Sequence, residues 1–208
     1  VKLKSTGIQD LLEKLAECQP GPTPSFTSIN LLELILYLGR ESPVGRKRLS
    51  SKLELGEGVV RNMLTRLEKA GIIKITKEGC VLTREGLRMY EEISSILIEK
   101  GQVDILVPWS HPYNYVVVLK KRSHLVKIGL EQRDAAIRAG ADAAMVMTYV
   151  NNELHMPGVS ILSIERPDFA SEVIEKIKPE EGDVIIIAGA KDYRKAKYGA
   201  LAAAQTIL

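Results

Sequence analysis

The stretch Gly56–Ile73, GEGVVRNMLTRLEKAGII, constrains the fold more than any other part of the chain. On a wheel advancing about 100° per residue, Val59, Val60, Met63, Leu64, Leu67 and Ala70 fall on one side, and Gly58, Arg61, Asn62, Thr65 and Lys69 on the other. One face must pack against a core. The other offers Arg, Asn and Thr, which can donate to or accept from base edges, together with a lysine suited to phosphate and a glycine that lets a backbone come close. A surface helix with a solvated polar face has the same pattern, so the flanking residues have to decide between the two.

Upstream, RKRLSSKLELGEG reads as a short helix with Leu49 and Leu53 inward, followed by a tight turn at Gly56 and Gly58. Downstream, Gly71 ends the helix, and IIKIT, KEG and CVLT give two short strands around a turn. With RLEKAGII and the closing LTREGLRMYEEI, the chain from about Ser28 to Tyr90 resembles the winged helix-turn-helix regulators. The resemblance implies that Arg61, Asn62, Thr65 and Arg66 read the major groove, although some winged helices bind proteins instead. Arg46, Lys47 and Arg48 at the front of the second helix, Lys69, and Lys74 and Lys77 on the wing are the candidate phosphate contacts, with Gly58 at the point of closest approach. A solvated charge cluster is the alternative for the Arg46–Arg48 run. Glu57 opposes an anionic partner unless it accepts from a cytosine amino group.

Charge follows the same division. Residues 27–90 carry twelve Lys or Arg against seven Asp or Glu, a net of +5, whereas the rest of the chain has a net of −2. At 208 residues, 45% hydrophobic and 26% charged, the sequence is long enough for two domains with their own cores. Cys18 and Cys80 are too few for a disulfide framework and lack metal-ligand spacing, so both read as small apolar fillers in a reducing cytoplasm. No signal peptide and no apolar run near the roughly 18 residues of a membrane helix is visible, so a soluble, cytoplasmic protein is expected.

Taken in order, residues 1–26 hold the amphipathic segment IQDLLEKLAE, expected to dock on a neighbour, and a Pro-rich link from Pro20 to Pro24. Residues 27–100 are the winged helix-turn-helix domain. Thr27 or Ser28 caps its first helix, and Leu31, Leu32, Ile35 and Leu38 form its floor. Thr83 caps a trailing helix expected to reach Glu99, whose apolar stripe of Leu87, Tyr90, Ile93, Ser94, Leu97 and Ile98 needs a partner, either a second subunit or the second domain. Residues 101–208 form a mixed α+β domain. YVVVLKK and HLVKIG read as one hairpin, and AAMVMTYV and ELHM as another turned at Asn151 and Asn152. LEQRDAAIRAG, the segment after Pro167 and the alanine-rich end read as helices, and DVIIIA as a buried strand.

This second domain resembles the region C-terminal to the winged helix in a family of uncharacterised archaeal proteins, with QRDAAIRAGADAA and the terminal strand and helix as the shared stretches. The resemblance supplies no activity. His111, His124 and His155 are widely separated and have no metal-ligand spacing, so no metal, cofactor or catalytic residue is expected. The turn AGAKDYRK, with Gly189, Lys191 and Arg194, is the candidate anion site, against a tight strand–helix packing alternative. His111 and Asn114 before one strand, and Arg133 and Asp134 at a strand–helix junction, are the candidates for a shared ligand pocket.

The sequence therefore predicts an α+β protein: an N-terminal winged helix-turn-helix followed by a mixed α+β domain that dimerises or senses a small anionic effector. Double-stranded DNA is the expected partner, a homodimer the expected assembly, and an enzymatic activity is not expected. A protein-interaction module in a larger assembly, or an enzyme with its site in the second domain, are the rival readings.

Overall fold

A computed structural model describes residues 7–17 and 26–208. The Pro-rich link and Cys18 lie outside them. The chain divides into two units, residues 1–94 and 95–208. The change therefore comes earlier than the composition shift after Gly101 suggests.

The first unit opens with α1 (Ile8–Ala16), followed by α2 (Ser28–Glu41), α3 (Arg46–Leu53), α4 (Glu57–Lys69), the strands β1 (Ile73–Ile75) and β2 (Cys80–Leu82), and α5 (Arg84–Ile96). Thr27 is the N-cap of α2, its backbone N–H donating to Asn30 Oδ1 at 2.8 Å. Leu31, Leu32, Ile35 and Leu38 are fully buried, and α1 adds Leu12 against α2. Gly71 takes the left-handed conformation at φ 76°, and the Ile72 N–H returns to the Leu67 carbonyl at 2.9 Å, a helix stop that glycine accommodates without strain. Thr83 caps α5 by accepting from the Gly86 N–H at 3.1 Å.

The wing has one more partner than the sequence suggests. Val44 bridges Cys80 through reciprocal backbone bonds of 3.1 and 2.8 Å. A Cβ on Gly79, at φ 139°, would stand 2.7 Å from the Val44 carbonyl carbon, so this position needs glycine for both conformation and space.

In the second unit a six-stranded, wholly antiparallel sheet runs in the order β3-β4-β8-β5-β6-β7. The elements are β3 (Leu97–Gln102), β4 (Tyr113–Leu119), α6 (Leu130–Arg138), β5 (Ala143–Val150), β6 (Glu153–Met156), β7 (Ser160–Ile161), α7 (Leu162–Glu165), α8 (Pro167–Ile177), β8 (Val184–Ala190) and α9 (Tyr193–Gln205). Val116, Val118, Met145, Met147, Ile185 and Ile187 form one face of the sheet, covered by Leu162 of α7 and by Ala170, Val173 and Ile177 of α8. On the other, α9 packs on β4 and β8 and α6 packs on α9 and β5. Because α9 presents Ala196, Gly199, Ala200 and Ala203, its backbone comes close; a Cβ on Gly199 would lie 2.5 Å from that of Ala141. Helices on both faces explain why β4 and β8 read as unbroken apolar runs.

Three expectations are corrected. The trailing helix stops at Ile96, and Leu97 and Ile98 belong to β3, paired with Leu119 and Val118. Leu87, expected within the apolar stripe, is 46% exposed. HLVKIG is not a strand: Ser123–Leu125 form a single 3₁₀ turn, and β4 pairs with β3 and β8 instead. The second hairpin is present, with Asn151 and Asn152 at φ 56° and 60°.

Candidate nucleic-acid interface

Burial on α4 divides as its periodicity requires except at Ala70, which is expected on the packing side but is exposed beyond the helix end. Val60, Met63, Leu64 and Leu67 are at most 3% exposed, while Gly58, Arg61, Asn62, Thr65 and Lys69 face water. Thr65 donates its hydroxyl to the Arg61 carbonyl at 2.9 Å, which fixes its rotamer and leaves the oxygen free to accept. Arg61 and Thr65 border a cleft of about 240 Å³ with Arg46 at the start of α3 and Thr76 and Lys77 of the wing turn. On the other flank Asn62, Thr65 and Lys69 border a cleft of about 430 Å³ with Lys14 of α1. The exposed face of α4 is thus a ridge with cationic side chains on both sides.

Not every predicted residue is free. Arg66 is withdrawn from the ridge: its guanidinium donates to the carbonyls of Leu15 at 2.8 Å and Glu17 at 2.7 Å, and lies over the Phe26 ring at 4.9 Å. It satisfies carbonyls at the end of α1, where no further helical turn supplies donors. Its assignment as a base reader is therefore corrected to a structural one. Glu57 faces Arg46 at 3.8 Å and Arg48 pairs with Glu41 at 3.1 Å, both in water, where such pairs hold little energy and exchange readily for other partners. Lys47 makes no ion pair among the described residues. Lys74 and Lys77 are exposed on the wing. Cys80, 3% exposed, is a buried filler; burial first and the Glu68 carboxylate second push its thiol above the ordinary value, against a smaller opposing effect of Arg46. Lys14 has no counterpart among the expected contacts, because nothing in the local pattern of α1 says which helix it will border.

Most candidate residues of the second unit are engaged in contacts of their own. Gly189 is the seat of the Trp109 indole: a Cβ there would lie 2.3 Å from Nε1, which donates to Asn114 Oδ1 at 2.7 Å. The turn after β8 is already supplied with carboxylates. Asp142 accepts from the Lys191 N–H at 3.0 Å, and Asp192 caps α9 by accepting from the Lys195 N–H at 3.0 Å. A second anion there would meet two negative side chains, so the anion-site expectation at Gly189, Lys191 and Arg194 is corrected. Arg194 lies over the Tyr198 ring at 4.9 Å and donates to its hydroxyl at 3.2 Å. Arg133 and Asp134 pair with each other at 3.2 Å on the exposed side of α6, and His111 stands half-buried before β4. Among the described residues no group of three or more His, Cys, Asp or Glu is placed to hold a metal ion, and no helix is long and apolar enough to cross a membrane.

Residues 31–88 match the family described as the PH0730-like N-terminal domain, and residues 111–207 match a domain of unknown function, DUF4443. Among solved structures, the hypothetical protein PH0730 from Pyrococcus horikoshii OT3 is similar over 88% of this chain and 93% of its own, with 30% identity and a TM-score of 0.64. The central glycolytic genes regulator of Priestia megaterium is 28% identical over 97 residues. That alignment takes in 46% of this chain and 28% of the regulator, so the chain spans under a third of the regulator's length.

Proposed function

Because the chain belongs to the PH0730-like family, with the N-terminal domain of that family ahead of a domain of unknown function, we propose that it is a DNA-binding transcriptional regulator. The likeness to a glycolytic gene regulator supports a regulator-like protein at the family level. The observation that carries DNA binding is the α4 ridge, with its Arg61, Asn62 and Thr65 between the cations of the wing and α3 on one side and Lys14 and Lys69 on the other. In this reading Arg61 and Asn62 contact base edges in the major groove, and Thr65 contributes an acceptor. Arg46, Lys47, Lys69, Lys74 and Lys77 hold phosphates, for which Arg46 exchanges its water-exposed pair with Glu57. The second unit dimerises the protein or senses a ligand, and the protein binds without catalysing a reaction.

The test is fluorescence-anisotropy binding of the full chain to duplex from its own upstream region and to unrelated duplex, across about 50 to 300 mM salt. Sequence-specific regulation requires one duplex to stay bound after the salt-sensitive background has gone. Failure to bind either duplex at low salt would overturn the reading and point to a protein partner for the ridge.

A further inference from the structure

On the α7–α8 face of the second sheet, the chain leaves a groove of about 430 Å³. Met145 and Met156 from the sheet, Leu162 and Phe169 from α7 and α8, and Val107 from the preceding loop give it an apolar lining. Arg166, between α7 and α8, is the one charged residue among those that line it. It is exposed and makes no ion pair among the described residues. The wall is fixed in place. Glu172 of α8 accepts from the Leu106 N–H at 3.1 Å, and Lys176 bonds both Glu172, at 2.7 Å, and the Asp104 carbonyl. Leu106 itself, at the rim, is 81% exposed.

A groove of this size with two methionines, a phenylalanine and a single guanidinium outside any ion pair has the composition of a small-molecule site: an apolar body is buried and one polar group sets its orientation. The planar fork of arginine matches a carboxylate with two parallel hydrogen bonds. We propose that this groove binds a small carboxylic acid with an apolar body, its carboxylate on Arg166 and its hydrocarbon part between Met145, Met156 and Phe169. The site names a ligand class for the sensing role proposed above and depends on that role only for its regulatory consequence. Its test reads binding in the absence of DNA, so either reading can fail while the other stands.

The experiment uses the full chain with methyl-labelled methionine and titrates decanoate, decanol and decylamine, following the methyl resonances and the fluorescence of Trp109, the only tryptophan, next in sequence to the groove-lining Pro108. Decanoate is expected to shift the Met145 and Met156 methyls while leaving Met63 and Met89 in place, and to bind about tenfold tighter than decanol, with decylamine weakest. Arg166→Gln is expected to weaken decanoate about tenfold and to leave decanol nearly unchanged. The methyl shifts of the unsubstituted chain decide the matter if that variant folds poorly. Absence of a Met145 and Met156 response to decanoate, equal binding of the three probes, or an Arg166→Gln chain that keeps its decanoate affinity would each overturn the proposal.

Discussion

The Arg66 guanidinium donates to the Leu15 carbonyl at 2.8 Å, which ties the end of α1 to the helix that forms the proposed reading ridge. Fifty-one positions separate the two residues. Arg66→Ala removes this bond and the one to Glu17, and leaves carbonyls at the end of α1 to water. We expect a loss of about 1 to 3 kcal/mol in urea denaturation, because hydrogen bonds to charged groups are worth about that much. Amide exchange should rise over Ile8–Ala16 first. Base preference on duplex should stay as it is, since this side chain is committed elsewhere; a change in preference would return Arg66 to the reading face.

Arg61 and Lys77 border the same cleft but have different expected roles. Arg61→Ala should relax the preference between related duplexes, with a mismatch-like loss of about 1 to 3 kcal/mol on the best one. Lys77→Ala should weaken all duplexes alike and reduce the slope of log affinity against log salt by about one. Equal loss on every duplex for both substitutions would contradict the division of roles.

Gly58 sits in α4 with nothing within 4 Å of the position a Cβ would take. Helix propensity favours alanine there by about 0.5 to 1 kcal/mol, so Gly58→Ala should raise thermal stability. The same methyl would stand between the helix backbone and a duplex. Duplex affinity should therefore fall while stability rises, and unchanged affinity would place the duplex away from the start of α4.

Asp183, fully buried at the start of β8, accepts from Lys120 Nζ and the Lys121 N–H at 3.1 Å and from the Glu180 N–H at 2.9 Å. Asp183→Ala strands these donors and should cost about 3 kcal/mol or more by denaturant unfolding. Burial acts to lower the Lys120 pKa, but hydrogen bonds and attraction from Asp183 and Glu180 together raise it above the usual 10.5. A raised lysine pKa contributes stability that is complete below the unfolded value and fades as pH rises through the folded one. Unfolding measured from about pH 9 to 12 should show that alkaline loss in the natural chain and a smaller one in Lys120→Met.

Gly189→Ala would place a methyl 2.3 Å from the indole nitrogen of Trp109. The ring must move and lose its bond to Asn114. Overpacking of this kind costs about 1 to 3 kcal/mol, and tryptophan emission should shift to longer wavelength as the indole gains water. An unshifted spectrum would mean that the indole keeps its seat and its bond to Asn114 beside the added methyl.

Much of the first unit is legible because its signals are local. The stripe of Val60, Met63, Leu64 and Leu67, the stop at Gly71 and the cap at Thr83 each depend on residues within a few positions. The turn at Asn151 and Asn152 is readable for the same reason. Leu97 and Ile98 are not, because a short apolar run continues a helical stripe as readily as it begins a strand, and only its pairing with Val118 and Leu119 decides. The reach of Arg66 to Leu15 and the seating of Trp109 on Gly189 are likewise products of tertiary packing. The expected anion turn fails for a local reason: Asp192 is a good N-cap, and a capped helix start has fewer donors to offer.

The position of β8 between β4 and β5 sets an order of events during synthesis. Tyr113 of β4 has no cross-strand partner on that side until Ala190 has left the ribosome, whereas the helices and wing of the first unit can close on one another much sooner. The nascent chain therefore carries an apolar strand, VVVL, through the translation of some seventy further residues, roughly 4 to 14 s at ordinary elongation rates. Throughout that interval the unfinished sheet has an open edge, and chaperone dependence should centre on it.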